Sequence, residues 1–306
     1  MKIYINRRPV DGAWGGGNRF LKALVQGLGR RGHSVSYNLT ESDIDKYVCF
    51  DPRPNDRGES YENIFDASRS TGGRLIQRVG DIGSHGKPAL RRMVELSVGR
   101  SDEVIFVSEW ARNSINYNGP CQVIYNNPVP EFAAARKPPR EIEGNVKIVT
   151  HHWSDNLMKG FDIYRALDKW IGENGGIEFT YCGRWPKELG GLKNSKHIQP
   201  LDHPEDIAEL ITKSDIYLTA SLSEPSGNHA IEAKFTGLPI LYHSMGGGIV
   251  EYCRDFGTPY SNLDGLIKAI EKWKPLLVRK LNYERALHLK DTIEDTIAQY
   301  IEVIEK

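Results

Sequence analysis

Residues 215–233 read DIYLTASLSEPSGNHAIEA, and the hydrophobic period changes within them. Asp215–Thr219 is a short run of strand-forming residues, Ser221–Gly227 is a polar turn, and from Asn228 to Phe235 apolar residues recur at helical spacing. Strand, turn and helix in that order form the repeating unit of parallel sheets covered by helices on both faces. The unit recurs to either side. Downstream, Leu238–His243 is a strand, Ser261–Trp273 a helix that Pro275 breaks, and Tyr283–Glu305 a closing helix. Upstream, Val146–Thr150 and Ile177–Cys182 are strands, with helices at Phe161–Gly172 and Pro204–Lys213, the latter opening on proline at its favoured first position.

Lys137–Gly144 carries no periodicity and reads as a linker, and a second alternating series precedes it. Strands at Lys2–Asn6, Ser34–Leu39, Leu75–Val79, Glu103–Val107 and Gln122–Tyr125 are interleaved with helices after Asn18, at Lys87–Val98 and from Ser108 to Tyr117. Asn18 and Ser108 read as N-caps. Between Cys49 and Ser84 the pattern fades into turn-rich loops at Asp51–Asp56 and Gly72-Gly73. Both series start alike: MKIYI leads into a glycine loop and a helix, and VKIVT (146–150) into a loop with Lys159-Gly160 and a helix. The expectation is an α/β chain of two facing Rossmann-like domains, residues 1–144 and 145–275. A C-terminal helix over 276–306 packs back on the first of them.

In such sheets ligands lie beyond the carboxyl ends of the strands. The turn at Ser226, Gly227 and Asn228 offers backbone N–H groups at a helix N-terminus, where phosphate binds. Glu232 lies one turn into the helix, and helical side chains lean toward the N-terminus, so its carboxylate reaches a hydroxyl of the same ligand. Glu224, in the turn itself, reaches a second hydroxyl. Phosphates in the middle and hydroxyls at both ends are the layout of a nucleotide sugar. The alternative is an acidic helix start of purely structural origin, which the macrodipole favours.

Lys159 follows the strand Val146–Thr150 and Arg184 follows Ile177–Cys182, so both cations leave the carboxyl ends of one sheet. Together they suit neutralisation of a departing diphosphate without a metal. Gly15-Gly16-Gly17 lets the backbone approach a ligand closely. It is not G-x-G-x-x-G, and no acidic residue ends a second strand for a ribose, which counts against a dinucleotide dehydrogenase. Gly246–Gly248, followed by Glu251, is a similar loop. His85 stands out among the histidines, in the glycine-flanked loop Arg78–Gly86 with Asp81 beside it; a structural role is the alternative. His151-His152 follow a strand directly, and no third ligand is placed to suggest a metal.

The chain of 306 residues holds 40 Lys+Arg and 40 Asp+Glu, which excludes a general nucleic-acid binder, since that needs a cationic surplus. The neutrality sums unlike halves: residues 1–145 hold 21 Lys+Arg and 17 Asp+Glu, net +4, and the remainder is net −4. The positive half reads as solvated helix faces, with weak attraction to an anionic partner such as a phosphate or a membrane surface as the sharper alternative. No apolar run approaches the roughly 20 residues that span a bilayer, and MKIYI lacks the apolar core of a signal peptide. Cys49, Cys121, Cys182 and Cys253 lie far apart, without a C-x-x-C pair, as thiols of a reducing compartment do. The expected location is cytoplasmic, at most peripheral to the inner face of a membrane.

Glu224 and Glu232, with seven residues between them, resemble the E-x7-E motif of retaining GT-B glycosyltransferases. The run EAKFTGLPI (232–240) is similar to the "EAmaxGxPvi" block of the same proteins. EVIFVSEW (103–110), Val123–Pro128 and Lys159-Gly160 also look like the glycosyltransferase 4 family, group 1. The resemblance implies transfer of a sugar from a nucleoside-diphosphate sugar, with retention of configuration and with no bound metal or other cofactor. The acceptor would be a carbohydrate, a lipid-linked or another small molecule. Glu232 would bind the nucleotide ribose and Glu224 the donor sugar. The amides of Ser226–Asn228, with Lys159 and Arg184, would hold the diphosphate, Gly15–Gly17 would approach the donor, and His85 matches the family's active-site histidine loosely. The sequence departs from the family at Ser154, where an arginine is usual, and at Pro225-Ser226-Gly227, where Gly-Phe-Gly is usual. Two alternatives keep the fold: an epimerase or inverting transferase with Asp81 or His85 as base, and a donor-binding partner subunit without turnover.

Overall fold

The computed structural model describes residues 1–11 and 15–306. They divide into two compact units, one of Met1–Asn126 with Ile293–Lys306 and one of Asn127–Thr292.

The first unit opens with β1 (Lys2–Ile5), α1 (Gly15–Arg30), β2 (Ser34–Ser36), β3 (Lys46–Cys49), α2 (Tyr61–Thr71) and β4 (Arg74–Val79). It continues with α3 (Pro88–Val98), β5 (Glu103–Phe106), α4 (Glu109–Ser114) and β6 (Gln122–Val123). Its strands form one parallel sheet in the order β2-β1-β3-β4-β5-β6. Ser108 caps α4, its hydroxyl accepting from the Ala111 N–H at 3.0 Å. Asn18 is not a cap. The helix begins at Gly15, and the Asn18 amide instead pairs with the Val10 backbone, accepting from its N–H at 2.9 Å and donating to its carbonyl at 2.8 Å.

The second unit holds α5 (Pro130–Ala134), β7 (Val146–His152), α6 (Phe161–Asn174), β8 (Ile177–Gly183), β9 (Lys196–Ile198), α7 (Pro204–Thr212) and β10 (Ile216–Thr219). Then come α8 (Asn228–Phe235), β11 (Ile240–His243), α9 (Gly248–Cys253), β12 (Gly257–Tyr260), α10 (Leu263–Trp273) and α11 (Leu276–Ala286). These strands form a second parallel sheet, ordered β12-β11-β10-β7-β8-β9, so β7 and β10 lie at its centre. Val149, Tyr217, Ile231 and Ile240 pack on one face and Ile148, Phe179, Leu218 and Leu241 on the other, all of them buried. The expected closing helix is broken: α11 ends at Ala286, and α12 (Ile293–Glu305) belongs to the first unit. There it packs on α1. A β-carbon at Gly27 would lie 2.6 Å from Ile297 Cγ2, so only glycine lets the helices approach this closely.

The unit boundary falls at 126/127, earlier than the expected 144/145. Phe132 of α5 is buried against Val149, Ile207 and Tyr217. Arg136 donates to the carbonyls of Phe235 (2.5 Å) and Leu289 (2.9 Å), and the buried Arg279 donates to that of Arg140 (2.7 Å). The segment read as a linker is thus fastened along the second unit. All four cysteines are free, and burial pushes the Cys253 thiol up to about 12. Among the described residues no helix is long and apolar enough to cross a membrane.

Candidate active site

The loops that leave the carboxyl ends of β7, β10 and β11 are tied to one another by backbone hydrogen bonds. Leu222 N donates to Met158 O (2.8 Å), Ser223 N to Met245 O (2.8 Å), and Glu224 N to Gly246 O (3.1 Å), while Gly248 N donates to Glu224 O (2.8 Å). Glu224 is therefore fixed through its main chain before its side chain is considered. Ser223, just before it, is held at φ 48°, a left-handed conformation that L-residues other than glycine rarely adopt and that concentrates at functional sites.

Lys159 closes a short 3₁₀ turn, Leu157–Lys159, opened by Asn156, whose side chain accepts from Met158 N. Its ammonium lies 2.5 Å from Glu224 Oε2, and only 8% of the residue is exposed. Gly160 explains how the lysine is delivered. It sits at φ 77°, and a β-carbon there would lie 2.1 Å from the Ala220 carbonyl oxygen. Only glycine allows the β7 loop to lie against the end of β10.

Glu232 lies in α8, whose N-cap is Gly227 at φ 70° and whose first residue is Asn228. The Ser226 hydroxyl donates to Asn228 Oδ1 at 3.3 Å. Glu232 is buried, with Oε2 2.7 Å from His151 Nε2, and His151 Nδ1 is 3.0 Å from the Tyr217 hydroxyl. Below this layer His152 Nε2 meets the Tyr164 hydroxyl at 2.6 Å, and Tyr164 also accepts from Ala220 N at 3.0 Å. The His152 and His229 rings are 4.5 Å apart, and His229 Nε2 meets Thr219 Oγ1 at 2.9 Å. Burial holds the His152 imidazole well below the ordinary histidine value, helped by the positive charge of Lys159 and by His151. Burial pushes the Tyr164 phenol up to about 12 and the Tyr217 phenol well above its ordinary value. His151 and His152, which the sequence places directly after a strand, are therefore buried members of a hydrogen-bonded layer at the end of β7.

Arg184 leaves the end of β8 and stacks its guanidinium 3.7 Å above the Trp153 ring. It is exposed, which keeps its donors at the carboxyl edge of the sheet. The structure thus unites Lys159 with Glu224 and places Glu232, Ser226, Gly227 and Asn228 on the adjoining turn and helix. Arg184 is held by Trp153, which sequence reasoning did not single out. Gly246–Gly248 is a backbone partner of Glu224 and the start of α9, with Gly247–Gly248 closing over it.

The remaining candidates belong to the first unit. Gly15, Gly16 and Gly17 form the first turn of α1, and a β-carbon at Gly17 would meet no atom within 4 Å. His85 is half-buried in the turn before α3. Asp81 is engaged by Lys87 Nζ at 2.6 Å and by Gly83 N at 2.9 Å, which leaves it poorly placed as a general base.

Residues 171–281, inside the second unit, match the family of glycosyl transferases group 1. No curated protein sequence matches the chain. Among solved structures, WaaG, a glycosyltransferase involved in lipopolysaccharide biosynthesis, is 15% identical over 99% of both chains, with a TM-score of 0.73. HepE from Anabaena, solved in complex with UDP-glucose, is 17% identical over 99% of both chains, with a TM-score of 0.70. Sucrose-phosphate synthase from Thermosynechococcus elongatus is 15% identical over 100% of this chain and 98% of its own, with a TM-score of 0.70. Two parallel six-stranded sheets of this topology are the GT-B fold, which the chain shares with these solved structures, and residues 171–281 within it match a glycosyl transferase domain. The likeness to the group 1 glycosyl transferases is carried by residues 171–281.

Proposed function

We propose that the chain transfers a sugar from a nucleoside-diphosphate sugar to a carbohydrate, lipid-linked or other small acceptor, with retention of configuration. The observation that carries this reading is the ion pair of the buried Lys159 with the half-buried Glu224 at the carboxyl edge of the second sheet, beside the N-terminus of α8. Glu224 accepts hydrogen bonds from the donor sugar, and Glu232 from the ribose. The amides of Ser226–Asn228 cradle the diphosphate at the positive end of the helix. As the glycosidic bond breaks, charge grows on the leaving diphosphate. Lys159 and Arg184 neutralise it in place of a metal, preorganised by Glu224 and Trp153. Gly15–Gly17 and His85 take the roles that the family resemblance gives them, close backbone approach to the donor and contact with the reacting sugar. The UDP-glucose bound to the similar HepE supports a nucleotide sugar as the donor class.

A thermal-shift panel of UDP, GDP, ADP, dTDP and their sugars tests the reading. A ligand at 100 times its dissociation constant stabilises by about 2.7 kcal/mol, which a melting curve resolves. A shift with one nucleotide and its sugar is expected. Chelator leaves the turnover rate unchanged, and NMR of the product shows the donor's anomeric configuration. An inverted product, or a rate that chelator abolishes, overturns the mechanism.

A further inference from the structure

The carboxylate assigned to the ribose does not stand alone, and its partners come from two other elements. Glu232 Oε2 is 2.7 Å from Nε2 of His151, the penultimate residue of strand β7, and His151 Nδ1 is 3.0 Å from the hydroxyl of Tyr217 on β10. All three residues are buried, with Tyr217 at 0%, Glu232 at 7% and His151 at 8% exposure. The protons follow from the chemistry of the groups. An ionised carboxylate only accepts, so Nε2 must donate to Glu232. Nδ1, on the other side of the ring, faces the Tyr217 hydroxyl, which also lies 3.4 Å from the His151 carbonyl oxygen. Tyr217 is itself fixed, since it also accepts from His151 N at 3.3 Å. The imidazole is thereby held between the Glu232 carboxylate and the Tyr217 hydroxyl, one ring nitrogen to each.

We propose that His151 is a positioning residue for donor recognition: oriented by Tyr217, it holds Glu232 as an ionised hydrogen-bond acceptor aimed from the first turns of α8 at a hydroxyl of the nucleotide. The proposal rests on the reading of Glu232 as a hydroxyl-binding group. A carboxylate that must accept from a ligand loses strength if it rotates or takes up a proton, and a donor at fixed geometry prevents both.

The test is calorimetric titration of the nucleoside diphosphate that the panel above selects, against wild type, His151→Phe, His151→Gln, Tyr217→Phe, Glu232→Gln and the double variant His151→Phe/Glu232→Gln. Glutamine keeps a donor near the Nε2 position, whereas phenylalanine keeps the volume and loses it. The expected result is about tenfold weaker binding for His151→Phe, a loss within threefold for His151→Gln, and an intermediate loss for Tyr217→Phe. The double variant is expected to be no weaker than Glu232→Gln alone, since the two residues act through one contact. Melting temperature verifies folding, and if His151→Phe fails to fold, the His151→Gln and Tyr217→Phe arms still decide. Equal losses in His151→Gln and His151→Phe would reduce His151 to a space-filling role and overturn the proposal. Wild-type binding by His151→Phe alongside weak binding by Glu232→Gln overturns it too, while leaving the reading of Glu232 intact. Wild-type binding by both variants overturns that reading and the proposal together.

Discussion

Two glutamates eight positions apart are held in opposite ways. Glu224 sits in an irregular turn, pinned through its backbone by the loops after β7 and β11, and its side chain faces an ammonium at 2.5 Å. Glu232 sits in a regular helix that needs no such fastening, and its side chain faces an imidazole at 2.7 Å. The first arrangement suits a place where charge develops during reaction, because a full cation is already aimed there. The second suits recognition of an unchanging neutral group, where orientation matters more than charge. On the proposed reading, a short separation in sequence divides catalysis from binding.

The largest effect is expected at the first glutamate's partner. Lys159→Ala should lower turnover by about 10²–10³-fold, as loss of a preorganised charge-stabilising group does. It should also destabilise by up to about 3 kcal/mol, because a largely buried carboxylate loses its counter-charge. Steady-state kinetics and chemical denaturation check the two parts. If turnover persists, the ion pair is structural and the division between the glutamates fails. Arg184→Ala comes next, with about 10–10²-fold lower turnover and a stability change within about 0.5 kcal/mol, since the guanidinium is exposed on Trp153. A large change in melting temperature without a rate effect would make the stack a packing feature.

Gly160→Ala sharpens the same contrast through the backbone. The left-handed conformation costs a non-glycine residue about 1–2 kcal/mol, and the clash with Ala220 O adds to it. A loss of about 2 kcal/mol or more is expected from urea unfolding, with turnover falling as Lys159 is displaced. A neutral result would show that the β7 loop does not depend on this close approach.

The smallest effect concerns the layer under Glu232. The His152 imidazole is held below the ordinary 6.5 by burial first, then by Lys159 and His151. As pH falls through 6.5 the unfolded chain takes up a proton that the folded chain resists. The unfolded state then binds more protons, and stability declines below that pH while being fully present above it. His243, also depressed by burial, contributes in the same direction. His152→Gln should therefore flatten the fall in melting temperature between pH 6.5 and 5 without abolishing it. An unchanged slope would mean that His152 is not the group resisting the proton.

What the sequence disclosed follows a physical line. The strand–turn–helix around Glu224 and Glu232 was legible because its signals are local: a β-rich run, a glycine cap and helical spacing. The Ser108 cap was legible for the same reason. Strand β3 was missed because four residues after a polar loop carry too little period, although burial makes it central to the first sheet. Helix α2 buries only Tyr61, Ile64 and Ser68, too narrow a stripe to read. Strands β9 and β12 are sheet edges, where exposure removes the apolar signal and a proline such as Pro259 is tolerated. The pairing of His151 with Glu232 spans 81 positions and that of Lys159 with Glu224 spans 65. Contacts of that range are products of the fold, so the residues could be nominated but their partners could not.

The most direct measurement removes both members of the central pair at once. Lys159→Met/Glu224→Gln deletes two opposite charges together, so neither is left buried and unpaired. With the donor that the thermal-shift panel selects, the double variant should melt within a few degrees of wild type while releasing nucleoside diphosphate at least about 10²-fold more slowly. A stable double variant that turns over at the wild-type rate would contradict the assignment of catalysis to this edge of the second sheet.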